Sequence, residues 1–251
     1  MKEKKDRVIL KTVIAMLVVL IVFFIQGAVA VVGQARGLAS VLTRGAILWG
    51  SVLLTILFFF VKNKEIASLG FRKMAPGAAK KLLFFVPILA VALSNLIAGI
   101  DLSEGAKTVF ANLFFTLAIG MIDEIYFRGI ICNMWLKKSV VKAVIISSVL
   151  FGLAHLLNVI GGASVVMTIL QICFAFVYGL VFAVILHLGG SIIPCVLLHA
   201  LHDFCSFISA DGSRGLNITL GTAQFLILLI YFIYLLKKEK ALAGAGGNKE
   251  A

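Results

Sequence analysis

Residues 164–186 read SVVMTILQICFAFVYGLVFAVIL. No Asp, Glu, Lys or Arg interrupts the run, and about 20 mostly apolar residues are enough to cross roughly 30 Å of hydrocarbon as a helix. The stretch lacks the strict alternation of a barrel strand. Backbone N–H and C=O groups in lipid must be satisfied within their own segment, so the conformation it specifies is a transmembrane helix. Working outward, comparable apolar stretches fall near residues 12–32, 45–61, 82–100, 108–122 with an amphipathic continuation to about 135, 140–158, 191–208 and 217–236. Breakers lie between them: Gly33 to Gly37, Gly70 to Gly77 with Pro76, Gly161-Gly162, Gly189-Gly190 and Asp211-Gly212. The expected fold is all-α, a polytopic membrane helix bundle of about eight transmembrane helices. A single transmembrane domain is expected over 1–240, with a disordered cytoplasmic tail over 241–251. The first apolar run is too long for a signal-peptide core and is expected to be retained as a span.

Composition supports the same solvent. The chain is 62% hydrophobic and 14% charged, with a mean hydropathy of +1.13, and this balance cannot clothe a water-facing exterior. A net charge of +12 in a soluble protein would suggest nucleic acid. Here the basic residues flank apolar runs without aromatic interleaving, so no nucleic-acid partner is expected. Lys2, Lys4, Lys5, Arg7 and Lys11, then Lys62 to Lys81, then Lys137, Lys138 and Lys142, then Lys237 to Lys249 fall on one side. Only Arg36, Arg44, Lys107 and Arg214 are assigned to the other. The asymmetry predicts a multi-pass protein of the cell membrane with both termini cytoplasmic and a basic rim that attracts anionic lipid. Cys132, Cys173, Cys195 and Cys205 form no CxxC pair and read as buried small hydrophobes.

Against this background the buried charges stand out. Asp123, Glu124 and Arg128 lie in the fourth apolar region, His155 in the fifth, and His199, His202 and Asp203 in the seventh. A charge at membrane depth costs at least ~2.5 kcal/mol on insertion scales and usually faces the bundle interior. Glu124 and Arg128, Phe151 and His155, and His199 and Asp203 are each four residues apart, so each pair occupies one helix face. Taken singly, Glu124 with Arg128 could be only a buried ion pair. His155 could be only an interhelical hydrogen-bonding residue, His199 with Asp203 a packing contact, and His187 an interfacial residue. Their joint occurrence on three helices favours one shared cavity.

The sequence at these positions resembles the CAAX protease and bacteriocin-processing (CPBP, or Abi) family of intramembrane glutamic endopeptidases. Its EExxxR motif is met by Asp123-Glu124-Ile125-Tyr126-Phe127-Arg128, its FxxxH motif by Phe151 to His155, and its HxxxN/D motif by His199 to Asp203. Gly190-Ser191-Ile192-Ile193-Pro194 is similar to the run that leads into the last motif. The motif-bearing core is about 108–208. The resemblance implies hydrolysis of a peptide or membrane-protein segment. Asp123 and His155 would activate a water, His199 and Asp203 would stand beside the scissile carbonyl, and Arg128 and Phe151 would support the site. It also implies no cofactor; zinc is not expected, and the HExxH pattern is absent. Position 123 is Asp where the family usually has Glu, which shortens the reach by about 1 Å. The general base is therefore either Asp123 or Glu124. Asp203 either is protonated or orients His199 or the water, because an ionised carboxylate cannot donate a hydrogen bond. The alternative function is a weak or inactive member serving as a bacteriocin-immunity or regulatory scaffold. A proton-coupled transporter would be expected to show repeated halves, which are not seen.

Overall fold

A computed structural model describes residues 2–63 and 66–247, and for 2–5, 63, 214 and 239–247 it describes the backbone alone. In chain order the main helices are α1 (Lys2–Val32), α2 (Gly37–Asn63), α3 (Val86–Ser94), α4 (Ala106–Asp123), α5 (Val140–Ala154), α6 (Val165–Gly189), α7 (Ile193–Phe207) and α8 (Arg214–Gly247). Among the described residues the only strand-like pairing is an isolated bridge between Ile100 and Ser209. The protein is thus an all-α polytopic membrane bundle. α8 is drawn into the segment expected to be a tail, and residues 248–251 lie outside the described residues.

Among the described residues, 6 helices are long and apolar enough to be spans: Asp6–Val32, Gly37–Lys62, Ala106–Leu136, Val140–Ile160, Val165–Gly189 and Gly215–Lys238. The third and seventh expected spans are the shorter apolar segments Leu83–Ala98 and Ile193–Phe207. At 1.5 Å per residue these rise only about 22–24 Å, less than the hydrocarbon thickness. The third is further broken at its start, where Leu83, Phe84 and Phe85 have positive φ, before Pro87 opens α3 in its first turn. Hydropathy registers an apolar run but not this kink in the chain. A second difference lies in α2, which begins at Gly37 and not near residue 45, so Arg44 stands two turns inside a helix. Cys132, Cys195 and Cys205 are buried as expected, but Cys173 is exposed on the bundle surface.

Small residues set the helix crossings that matter for function. A Cβ on Gly120 of α4 would lie 2.8 Å from the Val196 carbonyl oxygen and 3.1 Å from the Ala200 nitrogen of α7. On Gly179 of α6 it would lie 3.0 Å from the Cα of Ser148 on α5. Backbones approach this closely only where no side chain intervenes. The first crossing holds His199 of α7 against the end of α4. Gly120→Ala is expected to overpack this contact, costing about 1–3 kcal/mol. Thermal melting in detergent should fall clearly, whereas Gly50→Ala, with open space around its Cβ, should leave it unchanged.

The two ends of the bundle differ in charge. Trp135 Nε1 donates to Thr12 Oγ1 (3.0 Å), Tyr234 Oη to the Lys81 carbonyl (3.2 Å), Tyr231 Oη to the Leu82 carbonyl (2.7 Å) and Ala75 N to the Gly189 carbonyl (2.8 Å). These bonds gather the Lys- and Arg-rich segments at one end. At the other end Asp101 N donates to the Ile208 carbonyl (2.8 Å) and Ala210 N to the Gly99 carbonyl (3.0 Å). That end is poor in basic residues.

Candidate active site

α4 does not continue as an α-helix. From Glu124 to Cys132 the chain is π-helical, and the Asn133 N–H reaches the carbonyl of Arg128, five residues back. Such wide turns occur mostly as short insertions and often at functional sites. Here the turn carries Glu124 and Arg128, both wholly buried, with Arg128 Nη1 3.2 Å from Glu124 Oε1. The guanidinium also lies over the rings of Phe151 (4.4 Å) and Phe182 (5.5 Å). Aromatic faces thus surround a cation that has one carboxylate partner.

His199 joins this pair to the other acids. Its Nδ1 is 2.9 Å from Glu124 Oε1, and its Nε2 is 3.6 Å from Asp203 Oδ2 and 3.9 Å from Asp123 Oδ2. Ionised carboxylates only accept, so the ring is the donor wherever it bonds to them. Phe151 and Tyr178 meet the ring edge-on at 5.7 and 5.8 Å, and Asp203 Oδ1 is 3.4 Å from His202 Nδ1. Glu124 therefore fixes one nitrogen of His199, and the other is directed toward the two aspartates.

His155 caps the C-terminus of α5. Its Nδ1 is 3.0 Å from the Phe151 carbonyl oxygen. A carbonyl cannot donate, so Nδ1 carries the hydrogen and Nε2 presents a lone pair. A cleft of about 720 Å³ runs past this residue, with Asp123, Phe151 and His155 on its wall together with Gln26 of α1 and Arg44 of α2. Glu124 does not line it.

Of the residues singled out from the sequence, Asp123, Glu124, Arg128, Phe151, His155, His199 and Asp203 are therefore near one another, with His202 beside Asp203, whereas His187 lies in the last turn of α6. They do not share one environment, because Asp123 and His155 face the cleft while Glu124 and Arg128 are sealed behind them. Two contributors escape the sequence reading. Tyr178 packs against His199 and His202 (5.5 Å) and donates to the Leu198 carbonyl (3.3 Å). A hydroxyl in the middle of the apolar α6 is the signal that could have found it. Arg44 reads as a loop residue as long as the second helix is taken to begin near residue 45. Among the described residues no group of three or more His, Cys, Asp or Glu is arranged to hold a metal ion.

Residues 105–205 match the family model for type II CAAX prenyl endopeptidases, Rce1-like. Over this segment the chain is similar to the CAAX protease family. The segment extends from the threshold of α4 nearly to the end of α7 and contains every member of the cluster. The match bears out the resemblance to the CAAX protease family and supports an intramembrane CAAX protease-type function in a multi-pass membrane protein. Comparison of the chain with curated proteins and with solved structures gave no match.

Proposed function

We propose that the protein is an intramembrane endopeptidase that hydrolyses a peptide bond with a water held between Asp123 and His155 and without a metal ion. The observation that carries this reading is the shared position of Asp123 and His155 on the cleft wall. Glu124, by contrast, is bonded to both Arg128 and His199 away from the cleft. Asp123 takes a proton from the water while the lone pair on His155 Nε2 holds the other hydrogen, and the water oxygen adds to the scissile carbonyl carbon. Negative charge gathers on the carbonyl oxygen, where an N–H on His199 Nε2 stabilises it. Glu124 keeps that ring aligned through Nδ1, and Asp203 stands 3.6 Å from Nε2 beside the carbonyl. The carbonyl re-forms as the C–N bond breaks, and the proton on Asp123 passes to the leaving amine.

The test uses purified protein and a peptide library in detergent, with products read by mass spectrometry. Asp123→Glu, which restores the reach usual in the family, is expected to speed cleavage, and zinc chelators are expected to leave it intact. Cleavage that survives Asp123→Asn but is lost in Glu124→Gln would transfer the base to Glu124. Loss on chelation with recovery on added zinc would overturn the metal-free assignment. A second reading, a scaffold that binds a partner without cleaving it, is favoured by the shorter Asp123. It gains support if no variant, Asp123→Glu included, yields product.

In this reading the protein lies in the cell membrane as one domain, with both termini and the basic end cytoplasmic. The cleft is lined by Val32, Ala35, Gly161 and Ala163 and so opens toward the opposite end. Substrate therefore reaches the site from the non-cytoplasmic face, while the basic rim holds anionic lipid. Reporter fusions at Gly215 and Ala241 should lie on opposite sides of the membrane, with the Ala241 fusion cytoplasmic. Fusions that report the same side would sink this topology.

A further inference from the structure

Asp101 and Glu104 stand in the exposed loop before α4, at the end of the bundle that is poor in basic residues. Both line a pocket of about 410 Å³, and no Lys, Arg or His is among the described residues on its wall. The loop is fixed in place. Asp101 N donates to the Ile208 carbonyl (2.8 Å) and the Ser209 hydroxyl to the Asn95 carbonyl (2.6 Å), while Ser103 N donates to Asp101 Oδ1 (2.8 Å). Bonds from Ser103 hold the Asp101 carboxyl below its ordinary range, so it is ionised. Acids before a helix complement the positive end of its dipole, which accounts for Glu104 without a ligand. It does not account for Asn112. That side chain lies nearly two turns inside α4, is only 8% exposed, lines the same pocket and forms no hydrogen bond with the described residues. A buried amide left unmatched is costly, and its donor and acceptor together are the pair that fits a peptide group.

The pocket adjoins the cleft that holds Asp123 and His155, because Ser40 of α2 lines both. Along α4 the rise is about 9 Å from Ala106 to Asn112 and about 16 Å from Asn112 to Asp123. An extended chain covers these distances in about three and about five residues. A bare metal ion holds its ligands within about 2.6 Å and so cannot meet both the acids and Asn112. A polypeptide segment running from the mouth into the cleft can.

We propose that this pocket is an exosite in which Asp101 and Glu104 pair with a Lys or Arg side chain of the substrate about eight residues from the scissile bond, while Asn112 holds a peptide group between the two. The inference rests on the endopeptidase reading above and names a substrate class: a membrane-protein segment with a basic residue on its non-cytoplasmic flank. Lys and Arg are concentrated on cytoplasmic flanks, so such a residue is a distinguishing mark. The protein's own basic residues crowd the other end, and its field draws a cation to this one.

The experiment uses fluorescein-labelled peptides of one Ala, Leu and Phe sequence, acetylated and amidated, that carry two Lys or two Gln residues at one end or the other. Binding is read by anisotropy to the full-length protein in phosphatidylcholine nanodiscs, with His155→Ala in the background to prevent turnover. At one of the two ends, Lys should bind about three- to tenfold more tightly than Gln, and added salt should weaken the preference. The double variant Asp101→Asn with Glu104→Gln should bind the Lys and Gln peptides alike; Asn at position 101 keeps an acceptor for Ser103 N. Asn112→Leu should weaken both peptides and leave their ratio unchanged. In the protein with His155 intact, the advantage of Lys in cleavage should appear with Lys about eight residues from the cut bond and vanish at about three. Equal binding of Lys and Gln peptides, a preference that survives the double variant, or a cleavage advantage that ignores this spacing overturns the proposal. So does a preference that is lost in phosphatidylethanolamine nanodiscs, which would give the pocket to a lipid ammonium. If the double variant fails to fold, Glu104→Gln alone, at an exposed site, must reduce the preference. Lys preference without product from any peptide would retain the pocket assignment and reject the endopeptidase reading.

Discussion

His155→Ala is expected to lower turnover by about 100- to 10,000-fold while leaving the protein folded, because it removes a positioned acid–base group. The side chain makes one hydrogen bond, to the Phe151 carbonyl of its own helix (3.0 Å), and packs edge-on against the Phe151 ring (5.2 Å). Its removal uncovers no buried charge. Asp123→Asn should match it in effect, since the amide keeps the shape of the side chain but cannot take a proton from water. Cleavage followed by mass spectrometry together with a melting curve in detergent separates the two consequences. Rates that fall while melting stays within a few degrees support the assignment, and unchanged cleavage in both variants would remove Asp123 and His155 from the chemistry. His199→Ala is a different case. It is also expected to abolish cleavage, but it strips Glu124 of one of its two partners, so melting should fall as well.

The contrast among these histidines shows how far the sequence could be read. Charged residues inside apolar runs are visible without a structure, and spacing of i and i+4 tells which of them share a face. That logic brings Glu124 with Arg128, and His199 with Asp203, into the right pairs. It cannot decide between Asp123 and Glu124, because neighbouring residues on a helix point about 100° apart and the choice depends on how the helix is rotated. The π-helical turn that begins at Glu124 alters that rotation, and no periodicity argument anticipates it. The cleft itself is equally hidden. Its far wall comes from α1 and α2, whose residues carry no motif, and Arg44 becomes part of it only because α2 starts at Gly37. Hydropathy locates the apolar stretches well but overstates the third and seventh as full-length spans. The kink at Leu83 to Phe85 is as apolar as the helix it precedes.

Arg128→Ala is expected to be the most destabilising single change, by roughly 3 to 5 kcal/mol, because it leaves Glu124 wholly buried without its cation. Both side chains have no exposed surface, and the guanidinium fills the space between Phe151 and Phe182, so truncation also opens a cavity. Lysine should not rescue it well, since a compact ammonium can neither lie flat on two rings nor reproduce the planar fork. The informative partner is the double variant Arg128→Met with Glu124→Gln, which removes both charges while roughly keeping volume. It should recover much of the melting temperature lost in Arg128→Ala, because a buried ion pair is costly to break but often close to neutral to replace as a unit. It should not recover cleavage, because a neutral amide in place of the Glu124 carboxylate no longer holds His199 through a charge-assisted bond, which spans 2.9 Å in the parent. Fluorescence-detected size exclusion for folded yield and peptide cleavage for activity would read the two effects separately. An Arg128→Ala protein that melts like the parent would mean that His199, the other partner of Glu124, is enough to hold its carboxylate. Recovery of cleavage in the double variant would mean that the charge on Glu124 is not what positions His199.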